Sequence, residues 1–170
     1  MNSLKKIDYI SGWIKEYATT LSFQPVSLVI GVSGGIDSAV TSALCAKTGF
    51  KTIAISMPIK QNSNQHDLSL KHLDWLKSNF DNVETKIIEL DKVFESFEKT
   101  MQDFNNSLAF ANSRSRLRMI TLYQVAQANR GIVVGTGNKV EDFGVGFYTK
   151  YGDGGVDISP IADCNKTEVW

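Results

Sequence analysis

A run of six residues, Ser-Gly-Gly-Ile-Asp-Ser at positions 33–38, has the residue types that bind phosphate groups. Gly34 and Gly35 let the backbone turn sharply and approach a ligand, and the amides that open a following helix would point at that ligand. A Gly-Gly pair alone would indicate only a tight turn. Asp37 among these amide donors would repel a bare phosphate but suits one that carries Mg²⁺, so the run predicts a phosphate loop.

The residues that this run lacks narrow the kind of loop. It has neither the Gly-Lys-Ser/Thr ending of a Walker A loop nor the third glycine of a dinucleotide-binding fingerprint. Kinase, GTPase and dehydrogenase functions are therefore disfavoured.

A cluster of basic residues opens a predicted long helix in the second half of the chain. Arg114 and Arg118 would share one face of this helix, and Asn112 and Arg116 another. A solvated basic face is the simplest interpretation of such a cluster. Near a phosphate loop, however, an arginine can pair with two oxygens of a phosphate or a carboxylate.

A hydroxyl and a carboxylate, Thr136 and Glu141, follow the last predicted strand. They belong to a stretch, residues 135–155, in which seven glycines are interleaved with aromatic and charged side chains. A long glycine-rich loop without regular structure is uncommon in a compact domain and is usually a binding loop or a lid. The aromatic residues disfavour the alternative, a disordered insertion.

The elements that must position these residues alternate along the chain. Apolar residues at helical spacing predict helices at 4–20, 67–80 and 112–129, and small residues predict another at 39–47. Asp91 is predicted to cap a further helix, with its inward side chains being Val93, Phe94, Phe97 and Met101. Apolar runs predict buried strands at 27–32, 51–56, 83–90 and 131–135. This alternation predicts a single α/β domain, a doubly wound parallel sheet flanked by helices in the Rossmann-like manner. Ligands bind such sheets beyond the carboxyl ends of the strands, where residues 33–38 would lie.

Length and composition exclude several classes of protein. A chain of 170 residues, 42% hydrophobic and 21% charged, is typical of one globular domain. Its 18 basic and 18 acidic residues give no net charge, which disfavours broad nucleic-acid binding. No stretch has the ~20 apolar residues of a membrane span or the pattern of a signal peptide, so we predict a cytoplasmic protein. Cys45 and Cys164 are predicted to be reduced thiols rather than a disulfide or a zinc site.

Two motifs carry a resemblance to a known family. The run at 33–38 resembles the signature of the ATP pyrophosphatases, the PP-loop or adenine nucleotide alpha hydrolase-like superfamily, which cleave ATP to AMP and pyrophosphate. The segment from Gly135 to Lys166, which contains FYTKYGDGGVD at 147–157, narrows the match. Over residues 10–170 the sequence resembles the ammonia-dependent NAD synthetases.

The resemblance implies ATP-dependent amidation of deamido-NAD (nicotinic acid adenine dinucleotide) to NAD. The nicotinate carboxylate would attack the α-phosphate of ATP to give an adenylate and pyrophosphate, and ammonia would then displace AMP. The glycine-rich stretch would close over the adenylate and exclude water. A homodimer, with the dinucleotide site near the subunit interface, is implied as well.

Motif position also implies a role for each site residue. Mg²⁺ would be held by Asp37 and Glu141. ATP would be bound by Gly31, Val32, Ser33, Gly34, Gly35, Ile36, Asp37, Ser38, Thr136 and Lys166, and the catalytic residues would be Asp37, Thr136 and Lys166. Deamido-NAD would be bound by Asn112, Arg116, Lys150, Asp153 and Asp157.

The sequence departs from the family pattern in two places. Residues 57–62 lack the arginine that many bacterial members carry just before the corresponding proline. Family members also continue past the position of Trp170, so the chain is expected to lack their C-terminal segment, and its last residues predict the first turn of a helix.

Two other functions remain open on the sequence. One is another adenylating enzyme of the superfamily, such as a GMP synthetase core; the tRNA-modifying members are disfavoured by the neutral charge. The other is a non-catalytic nucleotide-binding module.

Overall fold

The computed structural model describes residues 2–61 and 63–170, so Asn62 of the segment 57–62 lies outside the described residues. Within these ranges the chain forms one sheet from β1 (Ser27–Gly31), β2 (Lys51–Ser56), β3 (Val83–Ile87) and β4 (Gly131–Val134). The helices are α1 (Ser3–Thr20), α2 (Ile36–Lys47), α3 (Ser63–Asn79), α4 (Asp91–Thr100), α5 (Ser107–Ala128) and α6 (Lys166–Val169). All neighbouring strands run parallel, in the order β3-β2-β1-β4. The predicted parallel α/β fold is confirmed.

Helices cover both faces of the sheet because side chains alternate along each strand. In β1, Leu28 and Ile30 pack into a cluster with α1, α2 and α3, whereas Val29 packs into a second cluster with α4 and α5. All three side chains are fully buried. An apolar run without alternation is therefore what a doubly wound sheet requires of its central strand.

The strand order places a switch point between β1 and β4. From β1 the chain proceeds to β2 and then β3 on one side, and β4 joins the opposite edge of β1. The loops that leave β1 and β4 therefore diverge and open a crevice at the carboxyl ends of these two strands, where ligands bind open α/β sheets. Both predicted site segments, residues 33–38 and residues 135–141, leave from these two strand ends.

Helix α5 begins earlier than the sequence pattern predicted. It starts at Ser107 rather than Asn112, because the Asn106 side chain caps it by accepting a hydrogen bond from the Ala109 amide at 2.9 Å. The basic cluster thus lies inside the helix rather than at its start. Helix α3 likewise begins earlier, at Ser63, and the predicted strands at 83–90 and 131–135 are shorter than expected.

The predicted cap of α4 is wrong. Leu90 is the N-cap residue, and Asp91 lies in the first turn, where its Oδ1 accepts a hydrogen bond from the Lys60 amide at 2.6 Å. The carboxylate is engaged by the loop that follows β2, so it serves a tertiary contact instead of the helix end.

The predicted inward face of α4 is wrong in part. Phe94 is buried in the second cluster, but Val93 is 53% exposed and Phe97 is 40% exposed. Phe97 nevertheless stacks against Phe94 and meets the edge of Phe110 from α5. Phe94, supported by its contact with Phe97, therefore attaches this short helix to the second cluster.

The end of the described chain forms the helical turn that the sequence predicted. Asn165 and Glu168 make a capping box for α6, each side chain bonding the backbone of the other. Val169 packs into the first core cluster. Within the described ranges, no helix has the length and apolarity to cross a membrane. Cys45 and Cys164 are free cysteines.

Candidate active site

Two adjoining cavities open at the carboxyl ends of β1 and β4. The larger has a volume of about 790 Å³ and the smaller about 140 Å³. Both are lined by Ser33, Gly35, Thr136, Phe147 and Asp153. The crevice expected at the switch point is therefore a continuous site with a large and a small compartment.

The loop at 33–38 is closed by its own side chains. The Ser38 hydroxyl accepts a hydrogen bond from the Ser33 amide at 3.2 Å and donates one to the Gly35 carbonyl at 2.9 Å. Gly34 has a φ of +89°, and a Cβ there would overlap the carbonyl oxygen of Gln65 in α3. Only glycine fits beneath α3 in this conformation. The sequence predicted the turn, but not the helix that requires the glycine.

Helix α2 presents its N-terminus to the smaller cavity. Gly35 is its N-cap residue, and no described side chain caps this end. The first-turn amides of α2 are therefore available to an anion, and the helix dipole favours one there. Gly35, Asp37 and Ser38 line the small cavity, whereas the apolar side chain of Ile36 packs on the core.

Two carboxylates and one ammonium converge beside this helix end. Lys166 pairs with Asp37, and its Nζ lies 3.0 Å from Oε1 of Glu141. Burial lowers the pKa of Lys166, but the hydrogen bonds and charges of Asp37 and Glu141 outweigh this effect and leave the pKa raised. The structure thus brings together three predicted residues that are far apart in the sequence.

Asn138 connects the two residues that carry these carboxylates, through the Asp37 side chain and the Glu141 backbone. Its side chain is fully buried, and its Oδ1 accepts hydrogen bonds from the amides of Val140 and Glu141 at 3.0 and 3.1 Å. Its Nδ2 lies 3.4 Å from Oδ1 of Asp37. The sequence interpretation passed over Asn138, although an Asn in a glycine-rich segment two residues before a backbone turn is a recognisable capping signal.

The stretch after Asn138 is more regular than predicted. Residues Val140–Val145 form a single π-helical turn, which places Glu141 on the small cavity. The expectation of a loop without its own regular structure is wrong here. The capping bonds from Asn138 supply the local order that the sequence did not reveal.

Excess negative charge surrounds the small cavity. Asp142, which also lines it, has its pKa raised by burial and by the nearby charges of Asp153, Glu141 and Asp37. Among the described residues no group of three or more His, Cys, Asp or Glu side chains is arranged to hold a metal ion by itself. Mg²⁺ commonly takes only one or two protein carboxylates and completes its shell with water and phosphate oxygens, so the pair Asp37 and Glu141 fits it.

Helix α5 holds the segment 149–153 by side-chain hydrogen bonds. Ser115 Oγ donates to Oδ1 of Asp153 at 2.6 Å, and Asn112 Oδ1 accepts from the Thr149 hydroxyl at 2.8 Å. Two predicted residues, Asn112 and Asp153, therefore line the large cavity with their partners Ser115 and Thr149. Ser115 and Thr149 could not be predicted from the sequence, because α5 and residues 149–153 come together only in the fold.

The predicted cations Arg116 and Lys150 lie together outside the cavities. Arg116 Nε donates to the Lys150 carbonyl at 3.1 Å, and the Lys150 ammonium lies 5.0 Å from the ring centroid of Tyr151. Both residues are exposed. Arg118 lines the large cavity instead, where its Nε donates to the Met57 carbonyl at 2.9 Å.

The Asp157 carboxylate is hydrogen-bonded to β4 and α5. Its Oδ2 accepts the Val133 amide of β4 at 2.7 Å, and its Oδ1 accepts the Tyr123 hydroxyl at 3.0 Å. Burial, together with the Asp157 carboxylate, raises the pKa of Tyr123 to about 12. Asp157 lines neither cavity.

A parallel sheet with a glycine loop at its switch point, an uncapped helix end and a carboxylate pair defines a nucleotide-binding α/β protein. The family model for NAD synthase matches residues 6–170, and the chain belongs to the NAD synthase family. This confirms the family that the motifs at 33–38 and 135–166 indicated.

Individual relatives agree with the family assignment. The NH(3)-dependent NAD(+) synthetase of Mesoplasma florum is 39% identical over 168 residues, which cover 96% of this chain and 65% of that protein. The structure of NMN synthetase from Francisella tularensis has a TM-score of 0.88 and 33% identity, and the match covers 99% of this chain and 68% of that one. The structure of the NH3-dependent NAD synthetase of Campylobacter jejuni in complex with a nitrate ion has a TM-score of 0.88 and 30% identity. This match covers 99% of this chain and 71% of that one. The chain spans about two thirds of the length of these relatives.

Proposed function

We propose that the protein catalyses the ATP-dependent amidation of deamido-NAD by ammonia, with release of AMP and diphosphate. The observation that carries the proposal is the convergence of the α2 N-terminus, the Asp37 and Glu141 pair and Lys166 at one crevice in a chain of the NAD synthase family. A carboxylate oxygen attacks the α-phosphate, the bond to the β-phosphate breaks, and pyrophosphate leaves. Ammonia then forms a bond to the carbonyl carbon, AMP leaves with the bonding electrons, and the nitrogen loses one proton.

ATP is bound by the loop that follows β1 and by the residues that face it. The amides at residues 33–38 would hold the phosphates, and Thr136 lines both cavities. Lys166 supplies the positive charge that the leaving pyrophosphate needs. Gly31, at the end of β1, forms part of the wall of the large compartment, which has room for the nucleoside.

Mg²⁺ is proposed as the metal, held by Asp37 and Glu141. When bound, it would neutralise phosphate charge as the α-phosphate is attacked. Lys166 bridges the two carboxylates. The ammonium therefore marks a position where a cation is stabilised, and its flexible side chain can turn to the phosphates.

Deamido-NAD is proposed to lie against the segment 147–157. Arg116 and Lys150 present cations for its phosphates, while Asn112 and Asp153 face the large cavity. Asp157 acts through position, since its bonds to Val133 and Tyr123 fix the end of this segment. Phe147, 79% exposed and shared by both cavities, is placed to close over the adenylate and keep water from it.

The test is an assay of the protein that contains these 170 residues, with ATP, Mg²⁺, ammonium and deamido-NAD all present. We expect AMP, pyrophosphate and NAD in equal amounts, with no AMP when deamido-NAD is left out. A protein that binds ATP but forms no AMP under these conditions would be a nucleotide-binding module, and the proposal would fail.

A second substrate is favoured by one comparison. The Francisella tularensis relative, with a TM-score of 0.88, is named an NMN synthetase. Nicotinic acid mononucleotide carries the same carboxylate without the adenylyl half. Competing the two acids in one assay separates the functions, because the preferred acid has the higher kcat/KM.

We also propose a homodimer that works in the cytoplasm. Ile120 and Tyr123 are exposed on α5, and the Tyr123 hydroxyl donates to Asp157 of the dinucleotide segment, so this part of α5 is the surface that we propose for the subunit contact. ATP as co-substrate fits the cytoplasmic location. Sedimentation equilibrium decides the assembly, since a monomer at micromolar concentration would contradict the dimer.

A further inference from the structure

We propose that Asn138 is a positioning residue that holds Asp37 and Glu141, the two proposed metal ligands, in place relative to each other. The inference rests on the proposed function, since it concerns the metal site of that reaction. It assigns a role to a residue that contacts neither cavity, because Asn138 lines neither of them.

Asn138 uses both ends of its side-chain amide. The carbonyl oxygen accepts the Val140 and Glu141 amides at 3.0 and 3.1 Å, which fixes the start of the π-helical turn. The amino group lies 3.4 Å from Asp37 Oδ1 at the N-terminus of α2. One rigid amide therefore spans the two elements that carry the carboxylates.

The Asn138 side chain is buried away from water. Asn138 is 0% exposed, and it is the polar residue among the largest fully buried side chains of the described chain. Burying an amide is costly unless it is hydrogen-bonded, so its contacts are expected to be made continuously rather than exchanged with water. A fully buried Asn beside a pair of partly exposed carboxylates limits their motion.

Lys139, the residue after Asn138, is also hydrogen-bonded towards the site. The Lys139 amide donates to the Cys164 carbonyl at 2.9 Å, which ties the segment of Asn138 to the residues just before Lys166. Residues 138 and 139 are therefore hydrogen-bonded to the segments that carry all three charged groups. Side chains that orient metal ligands typically change metal affinity by 10–100-fold when they are removed.

The experiment measures Mn²⁺ binding to the metal-free protein by electron paramagnetic resonance, without ATP. Asn138→Ser retains an acceptor for the following amides but loses the amino group that reaches Asp37. We expect its Kd for Mn²⁺ to rise about tenfold or more. Asn82→Ser is the matched control, because Asn82 donates to the Ala46 and Phe50 carbonyls at 2.8 and 2.7 Å away from the site. This control is expected to lower Tm and leave the Kd unchanged.

The outcomes separate the two proposals. If Asp37→Asn leaves Mn²⁺ binding intact, the proposed metal site is wrong. If Asp37→Asn abolishes binding while Asn138→Ser only lowers Tm, as Asn82→Ser does, the metal site stands and Asn138 is structural alone. Should Asn138→Ser not fold, hydrogen exchange on the wild-type protein takes its place. Slow exchange at the Val140 and Glu141 amides, slowed further by Mn²⁺, is expected, and rapid exchange there would overturn the inference.

Discussion

The two segments that meet at the site are held in different ways. The loop at 33–38 is closed by hydrogen bonds between residues five positions apart, such as Ser33 to Ser38, and it lies between a regular strand and a regular helix. The segment at 149–153 is held by side chains of α5 that are 34 to 38 positions away. The first segment is determined locally, and the second depends on a helix elsewhere in the chain.

This difference separates two tasks within one reaction. The local loop presents backbone donors that are in place before a ligand arrives, as phosphate binding requires. The tethered segment is exposed at Tyr151, and Phe147 and Tyr148 just before it are exposed as well. It is attached by a few hydrogen bonds, so it can move without unfolding the sheet. We therefore expect damage to the loop to abolish chemistry and damage to the tethers to affect mainly substrate binding.

The largest effect is expected from Asp37→Asn at the locally determined loop. The change keeps the size of the side chain but removes the charge that pairs with Lys166 and that would hold the metal. We expect pyrophosphate release to fall on the order of 100-fold or more, with Tm nearly unchanged. Asp8→Asn is the control, since Asp8 pairs with Lys47 at 3.4 Å outside the site. Equal activity in both variants would remove Asp37 from the metal site.

How far the sequence predicted the molecule follows the same division. The apolar run at 27–32, the turn residues at 33–38 and the small residues at 39–47 were sufficient to predict the order of strand, loop and helix, because these signals are local. The predicted start of α5 and the predicted cap of α4 were wrong. Asn106 caps α5 earlier and the Lys60 amide bonds Asp91, and apolar periodicity shows neither hydrogen bond. Ser115, Thr149 and Asn138 were missed since their importance depends on partners brought close only by the fold.

The next largest effect concerns the glycine beneath α3. Gly34→Ala puts a Cβ against the Gln65 carbonyl in a residue with a φ of +89°, so the strain and the overlap add. The left-handed conformation alone costs an alanine about 1–2 kcal/mol, and the overlap would displace the loop or the helix. We expect an at least tenfold weaker binding of ATP, measured by calorimetry.

Gly49→Ala isolates the two contributions. Gly49 has a φ of +82°, nearly the same as Gly34, but nothing lies within 4 Å of a Cβ at this position. This variant should lose stability from backbone strain and keep its affinity for ATP. If Gly49→Ala and Gly34→Ala behave alike, packing under α3 is not what fixes the phosphate loop.

A smaller effect is expected from the tethers of the second segment. Ser115→Ala removes the hydroxyl that donates to Asp153 Oδ1 at 2.6 Å and accepts the Asp153 amide at 3.0 Å. On this exposed surface the loss is about 1 kcal/mol, which corresponds to roughly a fivefold change in an equilibrium constant. We expect a higher KM for deamido-NAD and faster proteolysis near residue 150, with kcat little changed.

The matched control for this tether is Ser78→Ala. Ser78 donates to the Asp74 carbonyl at 2.8 Å within α3, on a surface away from the site. It should alter neither KM nor proteolysis. A fall in kcat for Ser115→Ala with KM unchanged would mean that the tethered segment serves the chemistry directly, which would break the division between the two segments.

The smallest effect is a change in alkaline stability that reports on the bond between Tyr123 and Asp157, four residues beyond the tethered segment. Burial and the Asp157 charge raise the pKa of Tyr123 from 10.0 to about 12, so the unfolded chain loses this proton at a lower pH than the folded chain. The free energy of unfolding should therefore fall as pH rises from 10.0 toward 12. Tyr123→Phe removes the ionisable hydroxyl and should make thermal unfolding less sensitive to pH in this window. It also removes the hydrogen bond to Asp157 and should lower the stability at neutral pH. Asp157→Asn alters the same contact from the other side and should weaken the pH dependence in part, since burial of Tyr123 remains. If neither change affects the alkaline slope, the bond from α5 to Asp157 is not maintained in solution, and the second segment is attached only through residues 149–153.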